Sequence, residues 1–139
     1  MQPRLAIAFV IGAVFAASGC AQQAPTADVG ECLQTESLEG EVRDLPTMDC
    51  SEEHDAQVVH VFDMPGEDYP SDEEWTTTLE ENCLAGFEEY VGVEYAESTL
   101  SVRDLSPSEE SWDAGDRQVL CIAFTEGEPA TESFEGAEI

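Results

Sequence analysis

The chain has 139 residues, with 32 Asp or Glu against four Arg and no Lys, for a formal net charge of −28. So acidic a surface excludes nucleic acid as a partner and repels anionic lipid headgroups. The length allows one domain, and because both ends differ in composition from the middle, its core has to come from roughly 100 residues.

Met1 to Arg4 forms a short basic n-region, Leu5 to Ala17 is an uncharged apolar run, and Ala17-Ser18-Gly19-Cys20 closes it with small residues and a cysteine. This is the pattern of a bacterial secretory signal. It resembles the lipobox of bacterial lipoproteins, in which the cysteine is acylated and becomes the mature N-terminus, with Ala17 where that family usually has Leu. The apolar run is shorter than the ~20 residues of a membrane span. The expected product is a protein held by lipid at Cys20 on the outer face of the cytoplasmic membrane. Loss of Arg4 with the signal leaves three cations facing all 32 carboxylates, and salt is expected to stabilise such a domain by screening its self-repulsion. A solvated surface suited to a salty or alkaline medium is the simpler account of this charge; collection of divalent cations is the functional alternative.

Residues 21–28 are small and polar, with Pro25 opposing helix, and are expected to be a flexible tether. Gly30 to Leu33 predicts a first strand, Glu36 to Gly40 a turn, and Val42 to Met48 an extended edge segment broken at Pro46. Cys50 to Asp55 predicts a turn that launches Gln57 to Phe62, the central strand, apolar on both faces except at His60. After a Pro- and Gly-bearing loop, Ser71-Asp72-Glu73-Glu74 matches a capping box. Trp75, Leu79, Cys83, Phe87 and Val91 then recur every fourth residue and define one buried helical face that Gly92 ends. Ser98 to Leu105 alternates as a strand, Pro107 to Gly115 predicts a single helical turn carrying Trp112 over the sheet edge, and Gln118 to Phe124 is the last strand. The acidic residues 126–139 are expected to be disordered.

Cys32, Cys50, Cys83 and Cys121 form an even set in an exported small domain, where disulfides persist. Of the three pairings possible, Cys32–Cys50 with Cys83–Cys121 is preferred: the first pair flanks one β-rich segment and the second joins the helix face to a strand. The spacings are wide and lack Cys-x-x-Cys, which argues against zinc.

The segments Asp49 to Val59 (Asp-Cys-Ser-Glu-Glu-His-Asp-Ala-Gln-Val-Val), Cys83 with Phe87 to Gly92, and Pro107 to Cys121 together resemble the septum-formation-related domain of actinobacterial envelope proteins. The resemblance spans nearly the whole exported domain; Glu53 stands where that family often has proline. It implies an extracytoplasmic domain associated with division-septum formation, and it implies no reaction.

His54 and Asp55 are the most tempting functional pair, since a carboxylate can orient an imidazole for acid–base work. Adjacent residues rarely face each other, and the plainer expectation is that Asp55 caps the turn while His54 packs over the Cys50 bridge. A metal shared by His54 and His60 would need a bend in the strand. Arg117 is expected to pair with neighbouring carboxylates and hold its loop, and Trp112 is a candidate partner-binding anchor. No nucleophile elbow, zinc-protease, phosphate-loop or calcium-loop pattern occurs.

The expectation is therefore an α+β domain over residues 29–125, a small antiparallel β-sheet with one long helix on a face, stapled by two disulfides behind a signal and lipobox at 1–20. Its expected role is that of a non-enzymatic binding module in the cell envelope, without cofactor or metal, whose partner is another envelope protein or a cell-wall component. The alternative is a solute- or cation-binding lipoprotein. Candidate binding residues are His54, Asp55, Trp112 and Arg117.

Overall fold

The computed structural model describes residues 25–139. The signal, the lipobox cysteine Cys20 and the first part of the expected tether lie outside the described residues. Four strands, β1 (Cys32–Leu33), β2 (Ala56–Asp63), β3 (Ser101–Leu105) and β4 (Gln118–Phe124), form one antiparallel sheet in the order β1-β2-β4-β3. Helix α1 (Asp72–Val91) packs on one face, and a short helix α2 (Glu109–Asp113) sits between β3 and β4. The α+β architecture is the expected one.

Helix α1 starts where its sequence dictates. The Ser71 hydroxyl accepts the Glu74 backbone N–H, and the Glu74 carboxylate accepts the Ser71 N–H at 2.9 Å, so two donors of the first turn are satisfied reciprocally. Those Ser71 hydrogen bonds, from the side-chain hydroxyl first and the backbone N–H second, hold the Glu74 carboxyl below its ordinary value. At the other end Gly92 adopts φ +89°, the left-handed conformation that glycine reaches without strain.

The central strands β2 and β4 are apolar on both faces because both faces are covered. Val59, Cys83, Phe87, Val91, Leu100, Cys121 and Ala123 form the core on the helix side. Ala56, Val58, Leu120 and Ile122 meet Leu33 and Leu38 of the N-terminal segment on the other. The register of β2 against β4 slips between Val58 and His60. This bulge turns two consecutive residues toward the helix, Val59 into the core and His60 against Gly86. Both expected disulfides are present, Cys32–Cys50 and Cys83–Cys121, each with Cα atoms 5.3 Å apart. The second ties α1 to β4 across the sheet face. By loop-closure entropy they contribute about 3 and about 4 kcal/mol.

Three local expectations change. Residues 126–139 are not a free tail: Phe134 is buried in the helix-side core, and Ala130 pairs with His54 through both backbone hydrogen bonds, 3.0 and 2.8 Å. The Gly136 and Glu138 N–H groups donate to the Tyr90 and Val91 carbonyls, so this segment completes the hydrogen bonding of the last turn of α1. Order also begins before Val29, since Ala27 is buried against the N-terminal side of the core. The Val42–Met48 segment forms no strand and contributes a single bridge, Met48 to Cys32. Pro46 lacks the donor a ladder needs there.

Candidate functional site

His54 and Asp55 stand side by side in sequence and diverge in space. Asp55 accepts the Thr35 backbone N–H at 2.6 Å and the Thr35 hydroxyl at 2.7 Å, clamping the start of the 3-10 turn Thr35–Leu38. Its carboxylate therefore organises the N-terminal segment and does not orient the imidazole. His54 is fully buried and its ring packs 5.6 Å from the Phe134 ring. Its Nδ1 lies 2.9 Å from the Glu52 carbonyl and donates to it, because a carbonyl only accepts. Nε2 is buried and has no hydrogen-bond partner among the described residues.

The imidazole lies beside the sulfurs of Cys32 and Cys50. The ligand atoms of Cys32, Cys50 and His54 all lie within 4.8 Å of one another. The two sulfurs are bonded to each other, so they offer no thiolate to a metal, and His60 does not belong to this group. His60 instead lies over Gly86 and stacks on Phe62 at 6.0 Å. The His54 cluster is thus an imidazole laid against a disulfide, roofed by the C-terminal segment.

A polar residue that sequence reasoning passed over organises this roof. Gln57 is 1% exposed, and its Nε2 donates to the Gly30 carbonyl at 2.9 Å and to Ser133 Oγ at 3.0 Å, while its Oε1 accepts the Phe134 N–H at 2.6 Å. One carboxamide joins the N-terminal segment, the central strand and the C-terminal segment. The available signal was a lone glutamine at the head of a β-branched run.

Trp112 and Arg117 form the second constellation. Trp112 is 2% exposed, packed with Met64 and Val119, and its Nε1 donates to the Glu67 carbonyl at 3.0 Å. Tyr69 and Trp75 meet it edge-on. The Arg117 guanidinium lies 3.6 Å over the Trp112 ring and donates to the carbonyls of Trp112, Asp116, Gly66 and Glu67. Arg117 holds its loop as expected, but through four backbone carbonyls and a ring face, with no carboxylate. Trp112 does not lie on the surface as an anchor; it is the platform on which that loop is assembled.

Residues 13–124, a range that includes the Asp49–Val59 turn and strand, the Cys83-bearing helix face and the Pro107–Cys121 segment, match the model of the family described as septum formation. The chain belongs to the septum-formation family. No curated protein and no solved structure matches the chain. The residues the family shares with this chain end at Phe124, so the C-terminal segment that roofs His54 lies beyond the matched region. The disulfides and the family together point to an extracytoplasmic location. Among the described residues, no helix is long and apolar enough to cross a membrane.

Proposed function

We propose that this septum-formation protein is a lipid-anchored lipoprotein of the cell envelope, tethered at Cys20 on the extracytoplasmic face of the membrane, and that it acts as a non-enzymatic binding module at division sites. What supports a binding role is the way its reactive side chains are used. His54 is sealed between a disulfide and the C-terminal segment, Asp55 is committed to Thr35, and Arg117 is committed to backbone carbonyls. Each holds a loop in place, and the two disulfides, which persist in an oxidising compartment, brace the resulting surface.

A rigid, cross-braced surface favours recognition because little conformational entropy remains to be lost on binding. The large negative charge favours a domain that stands clear of anionic headgroups and works at the end of its tether. The partner class is an envelope protein or a cell-wall component. The anchoring is tested by mass spectrometry of the protein taken from cell membranes. A mature N-terminus at Cys20 carrying acyl chains, with release into the medium by Cys20→Ser, supports the proposal; an unmodified N-terminus in the wild-type protein overturns it.

A further inference from the structure

On the sheet face away from α1, the segment 38–43 and the β3–α2 connection enclose a cleft of about 340 Å³. That size falls at the small end of ligand sites, ~300–1,000 Å³. Two of the three cations left after removal of the signal, Arg43 and Arg103, line it. The third, Arg117, is consumed by its loop. In a chain of net charge −28 this is the one place among the described residues where guanidinium groups converge on open space.

Arg103 has no carboxylate partner among the described residues, only a long 3.4 Å bond to the Leu38 carbonyl. Arg43 uses one nitrogen on Glu41, at 3.1 Å to each carboxylate oxygen, and leaves the rest of its donor fork open. With carboxylates so abundant, an unpaired guanidinium at a cleft mouth leaves a positive charge to be met by a ligand anion. Glu41 and Glu110 also line the cleft. They would repel a dianion such as phosphate and accept hydrogen bonds from ligand hydroxyls. Ser106 and Ser108 add hydroxyls; the first donates to Asp104 and the second accepts the Ser111 N–H, and each oxygen keeps a lone pair that can accept from a ligand hydroxyl. Leu38, Leu105 and Pro107 supply an aliphatic surface suited to the C–H face of a sugar ring. A monoanionic, polyhydroxylated ligand meets all of these conditions together.

We infer that this cleft binds a carboxylated amino sugar of the cell wall, with Arg103 and Arg43 receiving the carboxylate and the serine hydroxyls and Glu110 receiving the ring substituents. The inference rests on the envelope-module reading and deepens it by naming the ligand class. It is read with purified protein, so failure of binding and failure of anchoring or septal placement are distinguishable.

The test is a titration of the purified, oxidised protein with N-acetylmuramic acid, followed by backbone amide shifts at fixed ionic strength. N-acetylglucosamine, which lacks the carboxylate, and inorganic phosphate serve as comparison probes. The expected result is saturable shifts confined to residues 38–43 and 103–111 with N-acetylmuramic acid. N-acetylglucosamine and the Arg103→Gln variant should each weaken binding by about tenfold or more, the size of one charge-assisted hydrogen bond. Arg43→Gln acts in the same direction, and both variants should keep the wild-type melting temperature because both side chains reach out from the core. Four outcomes overturn the proposal: no saturable shift, equal binding of the two sugars, Arg103→Gln binding like wild type, or phosphate binding in preference to the sugar acid.

Discussion

The side-chain oxygen of Gln57 accepts the Phe134 backbone N–H at 2.6 Å, although the two residues stand 77 positions apart. Through this bond the last residues of the chain are fastened to its central strand, and the Phe134 ring enters the core beside Phe87 and Val91. Removing the ring leaves a cavity and unroofs His54. Phe134→Ala should therefore cost about 3 kcal/mol, the lower range for a buried aromatic truncated to alanine. Chemical denaturation followed by Trp fluorescence measures this. A loss under about 1 kcal/mol, the range of an exposed site, would show that the segment is not docked.

Gly86 and His60 form a size-matched pair. A Cβ at position 86 would overlap the His60 imidazole, which the bulge in β2 directs at the helix. Gly86→Ala should destabilise by about 1–3 kcal/mol despite alanine's better helix propensity. His60→Ala in the same chain should recover much of that loss. Additive effects in the double mutant would mean that the helix and strand do not meet at this point.

The two disulfides differ in access. Cys32, Cys83 and Cys121 are buried, while Cys50 is partly exposed. A thiol reaches Cys50 first, so graded reduction with alkylation and mass mapping should open Cys32–Cys50 well before Cys83–Cys121. Cys83→Ser, which breaks the link between α1 and β4, should lower stability by about 4 kcal/mol. An unchanged melting temperature in that variant would contradict the bracing role of this bridge.

Charge sets the solution behaviour. The described residues contain a single ion pair, Arg43 with Glu41, both largely exposed, so added salt has little attraction to weaken and much repulsion to screen. The melting temperature should rise with sodium chloride; a fall would contradict this balance. Glu74 gives a pH signature. Its carboxyl sits below the ordinary glutamate value of 4.5 in the folded chain, so its stabilising effect is present above that value and is lost as pH falls through the lower folded value. Glu74→Ala should be less stable than wild type at neutral pH, with the gap closing below about pH 4.5. A gap that stays constant into acid would rule out an ionic capping box.

Features governed by near neighbours were legible in the sequence. The Ser71–Glu74 capping box, the stripe ending in Val91, the Gly92 cap and the Gln118–Phe124 strand depend on local spacing, and each is found where that spacing puts it. The cysteine pairing followed because Cys83 falls on the buried stripe and has to meet a strand. What escaped depends on distant partners. Phe134 is one aromatic in an acidic stretch, and averaged composition hides it until Gln57 and Val91 are seen to receive it. The bulge at Val59 leaves no periodic trace. Arg117 has carboxylates as sequence neighbours, yet the loop turns backbone carbonyls toward its guanidinium. Arg43 and Arg103 come from distant segments, so only the fold brings them to one cleft.

The central claim, an anchored binding module of the septum, is tested most directly by imaging the full-length protein, fused at its C-terminus to a fluorophore active outside the cytoplasm, in dividing cells. The account predicts enrichment at the closing septum, lost with Cys20→Ser. Uniform signal around the envelope, or signal confined to the cytoplasm, would contradict it.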